Sequence, residues 1–272
     1  MNILIENTPT SRTIRFLRNC IYEISRFLEL LLPVHTPRIT AYCYHSIAND
    51  GRGLSVTPDE FKKQIEFLCT HQMPLRVSEL DQYLSGAKRL TRDAFVLTFD
   101  DGYKTILSVK DYLSQHNIYP VAFVLSDNVH ANYAELDMPE GELLKSAEIR
   151  ELSEAGWDIG SHSKTHMSFS QLTGAEAKSE VLDSKAELER TLNISVDYFA
   201  YPKGAYTPEI LRVAEKSAYK FAFSMDDGYV SAKAPRYALP RVGVDATHTM
   251  RQFPYLAAPF SMIVRSVIKK FT

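Results

Sequence analysis

The sequence has few cysteines, no excess of basic residues and no long apolar run, and each shortage excludes a class of protein. Its 272 residues contain three widely spaced cysteines, which excludes a disulfide scaffold and a CxxC zinc module. We interpret Cys20, Cys43 and Cys69 as buried free thiols. Thirty-one Lys plus Arg against thirty-three Asp plus Glu give a net charge of −2, so no nucleic-acid partner is predicted.

Membrane-spanning segments are also missing, because no run reaches the about 20 apolar residues that a spanning helix needs. No apolar stretch followed by a small-residue cleavage site indicates a signal peptide, so we expect a cytoplasmic protein. Apolar residues recur every three or four positions in residues 1–37 and again in residues 246–272, which predicts an amphipathic helix at each end. Such helices, the second one basic, predict peripheral membrane contact or simple packing on the domain.

Strand-like and helix-like stretches alternate through residues 38–245, which we interpret as one domain. Apolar runs typical of strands covered on both faces occupy residues 38–44, 94–99 and 119–125. Capping motifs indicate helix starts at Thr57, Ser146, Thr173 and Thr207. Repeated β-then-α units predict an α/β fold with a parallel sheet, and at this length a (β/α) barrel closes such a sheet economically.

Two of the predicted strands end in groups that can do chemistry. "FVLTFDDG" ends in Asp100 and Asp101, and "WDIGSHSKTH" carries His162 and His166 four positions apart. Functional residues of parallel α/β proteins follow the carboxyl ends of the strands. Two imidazoles and one carboxylate suffice to bind a divalent transition metal, and either aspartate can complete the set. The other aspartate would stay free as a base for water.

Three motifs in order, "TFDDG", "SHSKTH" and "FAYPKGAY", resemble the first three motifs of the polysaccharide deacetylases, the NodB-homology enzymes of carbohydrate esterase family four. The resemblance spans residues 38–245 and implies a distorted (β/α) barrel, commonly of seven strands, that removes acetyl groups from amino sugars. It implies Asp100 as catalytic base and a metal, normally zinc, bound by Asp101, His162 and His166. The third motif lines the family's groove, so candidate substrate-binding residues are Tyr201, Pro202, Lys203 and Tyr206, although the two tyrosines could equally be packing residues.

The sequence departs from the family pattern at two positions. Ala200 stands where the family has an arginine that orients the base, and "LPRV" offers Arg241 where the family has a histidine as general acid. An arginine cannot donate a proton near neutral pH, because its pKa exceeds about 12; we place Arg241 among the substrate-binding residues. The acid is then His45, His248 or protonated Asp100, and we place His45 in the site because it follows the first strand on the same rim.

The sequence thus predicts a metal-dependent hydrolase that removes N-acetyl groups from a glycan or a lipid-linked sugar. A deformylase of a lipid-linked amino sugar is compatible with the same residues. A non-catalytic carbohydrate-binding or scaffold protein on the same barrel is the second alternative, favoured by the two missing motif residues. The intact aspartate pair and histidine pair oppose that alternative, because a binding module needs no free base beside a metal.

Overall fold

The computed structural model describes residues 20–25, 27, 36–136 and 142–268. Its strands are β1 (Ile39–Tyr44), β2 (Ser46–Ile47), β3 (Ser55–Val56), β4 (Met73–Pro74), β5 (Ala94–Phe99), β6 (Val121–Val124), β7 (Asp158–Ser161), β8 (Tyr198–Ala200), β9 (Phe221–Phe223) and β10 (Val242–Gly243). Its named helices are α1 (Pro58–His71), α2 (Leu80–Leu84), α3 (Lys110–Gln115), α4 (Tyr133–Leu136), α5 (Ser146–Glu154), α6 (Gly174–Leu192), α7 (Pro208–Lys216), α8 (Phe253–Leu256) and α9 (Pro259–Ile268).

The strands confirm the predicted distorted barrel. Seven of them form one parallel path in the order β10-β1-β5-β6-β7-β8-β9, and β4 pairs with the start of β5. A parallel bridge from Phe223 to Leu239, just ahead of β10, curls the last strand of the path back toward the first. All carboxyl ends of these parallel strands therefore lie on one rim, which is where the predicted site residues belong.

Alternating residues of each strand face two different apolar layers. Every residue of β1 and β5 is buried. One apolar cluster contains Ile39 and Ala41 of β1 with Ala94 and Val96 of β5, whereas the neighbouring strand positions belong to the cluster beneath the helices. Burial on both faces explains the continuous apolar runs in the sequence and gives each strand a rigid register.

Helix starts follow the capping chemistry at three of the four predicted positions. The side chains of Thr57, Thr173 and Thr207 accept hydrogen bonds from the backbone of the first turns of α1, α6 and α7. The prediction for Ser146 was wrong, since Lys145 is the cap and Ser146 is already the first helical residue of α5. The side chain of Glu148 accepts from the backbone N–H of Lys145 instead, at 2.6 Å, so the glutamate half of the capping box operates without a serine cap.

The helical residues 20–25 pack beside α9 at the other end of the chain. Ser25 and Ser261 share a hydrogen bond of 2.6 Å, and both side chains are fully buried. The hydroxyl of Tyr22 lies 3.3 Å from Nε2 of His248, so His248 helps to attach this helix. Within the ranges that the structure describes, no helix is long and apolar enough to cross a bilayer.

Candidate active site

The turn after β5 carries the two neighbouring carboxylates. Asp101 and Gly102 both adopt left-handed backbone conformations, with φ of 69° and 74°. A non-glycine residue is sterically strained in this conformation, and it keeps the conformation only where the surrounding structure stabilises it. At Gly102 an added Cβ would lie 3.2 Å from Cγ1 of Val124, so the turn packs closely on β6. This turn aims both carboxylates into the rim, where Asp100 and Asp101 are each only 3% exposed.

Asp101, His162 and His166 form a compact buried group, which we call the Asp101 group. Oδ1 of Asp101 lies 3.1 Å from Nε2 of His162 and 3.3 Å from Nε2 of His166. Ligand atoms of a tetrahedral metal at about 2.0–2.2 Å from the ion lie about 3.3–3.6 Å apart, so the donor atoms fit a divalent cation between them. Burial alone would raise the pKa of Asp101, but the two imidazoles lower it well below its usual range.

The loop that carries both histidines is held by α6. Ser163 and His166 have positive φ values of 70° and 63°, so this loop has a strained backbone. One carboxylate oxygen of Glu180 accepts hydrogen bonds from the backbone N–H groups of Lys164 and Thr165, at 2.8 and 2.9 Å. The other oxygen accepts from the hydroxyl of Thr165 at 2.6 Å. Glu180 therefore fixes the loop between the two candidate metal ligands.

A hydrogen bond to the backbone of β8 sets the orientation of the His162 ring. Its Nδ1 lies 2.9 Å from the carbonyl oxygen of Ala200, at the end of β8. A carbonyl can only accept, so Nδ1 carries a proton, and Nε2 is the nitrogen that faces Asp101 and would bind a metal ion. Ala200, which replaces the family's arginine, thus supplies a main-chain partner to one of the candidate ligands.

Arg241 occupies the space behind Asp100. Its two terminal nitrogens donate to the two carboxylate oxygens of Asp100 at 2.6 and 2.7 Å, and its Nε donates to the carbonyl of Ser224 at 3.0 Å. The guanidinium is fully buried and lies 5.5 Å from the ring centre of Phe123. Burial raises and Arg241 lowers the pKa of Asp100, and the net pKa lies below the ordinary value.

This contact corrects the assignment of Arg241 to substrate binding. A side chain with no exposed surface and a paired fork cannot reach a sugar. Sequence reasoning missed this relationship because Arg241 lies just ahead of β10, whereas the family pattern has its arginine at position 200. Two features of the sequence could have indicated the pairing: position 200 holds alanine where the family has arginine, and Arg241 stands where the family has histidine. Only the curled sheet shows that Arg241 reaches Asp100.

His45 follows β1 and lies close to Asp100. A nitrogen of its half-buried ring, the sulfur of Cys43 and an oxygen of Asp100 lie within 4.8 Å of one another. Nδ1 of His45 is buried and has no hydrogen-bond partner in the described residues. The structure therefore brings His45 to the site as predicted, while His248 lies at the terminal helices with Asp245 and Tyr22.

The residues of the third motif divide into packing and exposed groups. Tyr201 is fully buried and donates its hydroxyl to the carbonyl of Tyr237 at 2.8 Å, so its predicted role in substrate binding was wrong and the packing alternative holds. Pro202 is buried as well. Lys203 is exposed, and the half-exposed Tyr206 donates to Asp226 at 3.0 Å. Only Lys203 and Tyr206 of this set present surface to a ligand.

Comparison with known proteins gives consistent results. The family model described as polysaccharide deacetylase matches residues 87–222. The YxkH protein of Bacillus subtilis (strain 168), which is named for the same family, is 27% identical over 204 residues, covering 74% of this chain and 69% of that protein. The poly-beta-1,6-N-acetyl-D-glucosamine N-deacetylase of Staphylococcus epidermidis is 26% identical over 215 residues, covering 73% of this chain and 72% of that protein.

Solved structures show the same fold. IcaB from Ammonifex degensii superposes with a TM-score of 0.69 at 24% identity, covering 83% of this chain and 97% of that chain. The Streptococcus pyogenes deacetylase PplD, solved with acetate, gives a TM-score of 0.68 at 21% identity over 85% of this chain and 99% of that chain. Relatives with these names are hydrolases of a non-peptide carbon–nitrogen bond, which confirms the predicted enzyme class.

Proposed function

Because the chain belongs to the polysaccharide deacetylase family, we propose that it hydrolyses the acetamide group of N-acetylglucosamine units in a glycan or glycolipid. The observation that carries this proposal is the juxtaposition of the Asp101 group with Asp100. His162 Nε2 lies 3.1 Å from Asp101 but 3.9 Å from Asp100, so one carboxylate closes the candidate metal group while its neighbour stands beside it.

The Asp101 group would hold the metal, and zinc is the ion we propose. The donor set of two imidazoles and one carboxylate, with the tautomer of His162 set by Ala200, is typical of catalytic sites that leave coordination positions open. When bound, such an ion polarises an amide carbonyl and lowers the pKa of water toward about 7.

Asp100 is the base in this proposal, and Arg241 is a positioning residue. The two hydrogen bonds from Arg241 fix the plane of the carboxylate and keep it ionised, so that it can remove a proton from the attacking water. The same pairing stabilises a negative charge that burial would otherwise disfavour. Arg241 thereby takes the role of the arginine that the family has at position 200.

His45 is the proposed general acid. Collapse of the tetrahedral species needs a proton on the departing amine, and His45 lies close to Asp100 on the rim with an unshared ring nitrogen. Its half-buried ring reaches both the site and the open side where a sugar would enter. Exposed Lys203 and Tyr206 are the third-motif residues that we assign to the sugar groove.

For the substrate we propose β-1,6-linked N-acetylglucosamine, because the Staphylococcus relatives are named as deacetylases of that polymer. The linkage and acyl group depend on the loops around the rim, so a formamide on a lipid-linked sugar is the competing chemistry. A non-catalytic binding protein is the other competitor, but it gives no reason for a base held in place by a buried arginine.

The test measures metal content together with acetate and formate release for the wild type, Asp100→Asn and His162→Ala. We expect acetate from β-1,6-linked oligomers, and a loss of at least about a hundredfold in Asp100→Asn with its metal retained. His162→Ala should lose both metal and turnover. The exposed Asp111→Asn is the matched control and should keep full activity.

Other outcomes would identify the competitors. Formate release from a lipid-linked substrate without acetate release would establish the deformylase. Glycan binding that survives Asp100→Asn, with no turnover of any amide, would establish the binding protein and overturn the enzyme.

We further propose that the terminal helices rest on an anionic membrane surface. Of the large apolar side chains that the described residues expose, four lie on these two helices and form what we call the apolar patch: Ile24, Phe27, Ile263 and Val267. Residues 246–272 carry four Lys or Arg and no acid. Arg251 pairs with Glu23 and Arg265 with Asp227, so the attraction to anionic lipid comes from Lys269 and Lys270. The cytoplasmic location stays a prediction.

A further inference from the structure

A second set of possible metal ligands lies on the same rim, beside the Asp101 group. It consists of Cys43, His45 and Asp100, and their sulfur, ring nitrogen and carboxylate oxygen lie within 4.8 Å of one another. We call it the Cys43 group. Cys43 and Asp100 are buried and His45 is half-buried, so the set opens to solvent on one side.

The register of the first two paired strands explains why these residues meet. Cys43 of β1 lies directly opposite Thr98 of β5. Side chains alternate along a strand, so Cys43 and His45 continue one face of β1, while Thr98 and Asp100 continue the matching face of β5. That face points into the barrel, where Ala41 and Val96 belong to the interior cluster. The grouping is therefore fixed by backbone pairing.

All three donor groups have bonding capacity to spare. Nδ1 of His45 is buried without a hydrogen-bond partner among the described residues. The thiol of Cys43 makes a long contact of 3.8 Å to the carbonyl of Tyr44 and also interacts with the carboxylate of Asp100. Each oxygen of Asp100 accepts one hydrogen bond from Arg241 and keeps a further lone pair. A buried nitrogen without a partner is costly, and a cation would satisfy it.

From this geometry we propose that Cys43, His45 and Asp100 form a second, inhibitory site for a thiophilic divalent cation such as Zn²⁺, Cd²⁺ or Co²⁺. Sulfur, imidazole and carboxylate are together the ligands that such ions prefer over Mg²⁺ or Ca²⁺. On binding, the S–H bond of Cys43 breaks, its proton passes to solvent and the sulfur donates to the cation. No oxidant or reductant takes part.

The Cys43 group binds more weakly than the Asp101 group. Its carboxylate already faces the guanidinium of Arg241, so an entering cation meets a fixed positive charge 2.6–2.7 Å from the oxygen it needs. The site therefore fills only when metal is in excess over the Asp101 group.

Filling it stops the reaction, and this consequence rests on the proposed function. A cation on Asp100 and His45 removes the lone pairs of the proposed base and the proposed acid at once. Cys43 itself takes no part in the proposed hydrolysis, which makes it the residue through which the second site can be altered separately.

The first experiment measures binding alone. Protein that carries one equivalent of metal is titrated with Co²⁺, and the thiolate-to-cobalt charge-transfer absorption is recorded. We expect a second equivalent with that absorption in the wild type, one equivalent without it in Cys43→Ser, and wild-type behaviour in the control Cys69→Ser. Absence of the absorption in the wild type, or its survival in Cys43→Ser, would overturn the site.

The second experiment measures turnover at rising Zn²⁺ or Cd²⁺. Cys43→Ser should keep its activity at low metal and need about tenfold or more metal for half inhibition. Equal inhibition of the two proteins would overturn the inhibitory role, while a chain without any turnover would contradict the proposed function and leave the cobalt result to decide the site. Cys43→Ala repeats both measurements in case a buried serine prevents folding, and circular dichroism verifies the fold of each variant.

Discussion

Arg241 holds Asp100 through two parallel hydrogen bonds of 2.6 and 2.7 Å, although 140 positions of sequence lie between them. Arginine and carboxylate have matching planar geometries, so the pair fixes both the position and the plane of the carboxylate. Both side chains are buried, and water cannot replace either partner. In the proposed mechanism this pairing replaces the arginine that the family has at position 200, so Arg241 is the first target for mutation.

Replacing Arg241 should lower kcat/KM and also shift its dependence on pH. Arg241 lowers the pKa of Asp100, so its removal raises that pKa and leaves the base protonated up to a higher pH. For Arg241→Met we expect kcat/KM to fall roughly a hundredfold and its acidic limb to shift to higher pH. Arg241→Lys keeps the charge but loses the paired geometry, so it should shift the limb less.

The measurement is kcat/KM from acidic to alkaline pH on protein that carries one equivalent of metal, with thermal unfolding recorded in parallel. Leaving Asp100 buried without its partner costs about 3–5 kcal/mol in typical cases, so a stable Arg241→Lys protein is needed as reference. A slower variant with an unmoved acidic limb would show that Arg241 is only structural.

Replacing Glu180 should weaken metal binding, although Glu180 is not one of the candidate metal ligands. Its carboxylate accepts three hydrogen bonds from Lys164 and Thr165, which hold the strained loop between His162 and His166. For Glu180→Ala we expect metal affinity to fall about tenfold or more, because supporting contacts of this kind fix ligand geometry. Competition with a chromogenic chelator measures the affinity, and Glu215→Ala, exposed on α7, is the control. Unchanged affinity in Glu180→Ala would contradict the role.

The glycine of the third motif should tolerate no side chain. Gly204 has φ of 68°, and an added Cβ would lie 2.4 Å from the backbone nitrogen of Met225. Gly86 has a similar φ of 78° but open space around it. Gly86→Ala should therefore cost about 1–2 kcal/mol, the price of the left-handed conformation, and Gly204→Ala clearly more, because backbone must also move. Thermal or urea unfolding of the two variants separates these effects, and equal losses would refute the close contact.

The apolar patch should govern membrane association. Phe27→Asp and Ile263→Asp place a charge on side chains that are 62% and 63% exposed, so they should leave folding intact while opposing insertion between lipids. We expect wild-type protein to sediment with vesicles of phosphatidylserine and phosphatidylcholine, and both variants to stay in the supernatant. Val129→Asp, at a position that is 84% exposed but outside the patch, is the control. Sedimentation of all four proteins alike would exclude the patch as the contact.

Much of this molecule could be predicted from local sequence because local physics decided it. The apolar runs of β1 and β5 had to be buried on both faces, and the threonine caps of α1, α6 and α7 are contacts within one helical turn. The strand-end positions of Asp100, Asp101, His162 and His166 followed from alternation of β and α units. The packing role of Tyr201 was decided by its burial and by its hydrogen bond to the carbonyl of Tyr237, which its neighbours in sequence do not reveal.

By itself, then, the sequence determined the parallel barrel, the rim on which the site lies and the presence there of two aspartates and two histidines, since these depend on burial periodicity and on short-range spacing. The choice of Asp101 over Asp100 as the candidate metal ligand came from the resemblance to the family. Only the tertiary structure decided which side chain faces Asp100. The curled sheet brings β10 beside β1, and this gathers Arg241, Cys43 and His45 around Asp100. Such contacts join residues far apart in the chain, and their geometry is set by strand register and barrel closure, which no local pattern encodes.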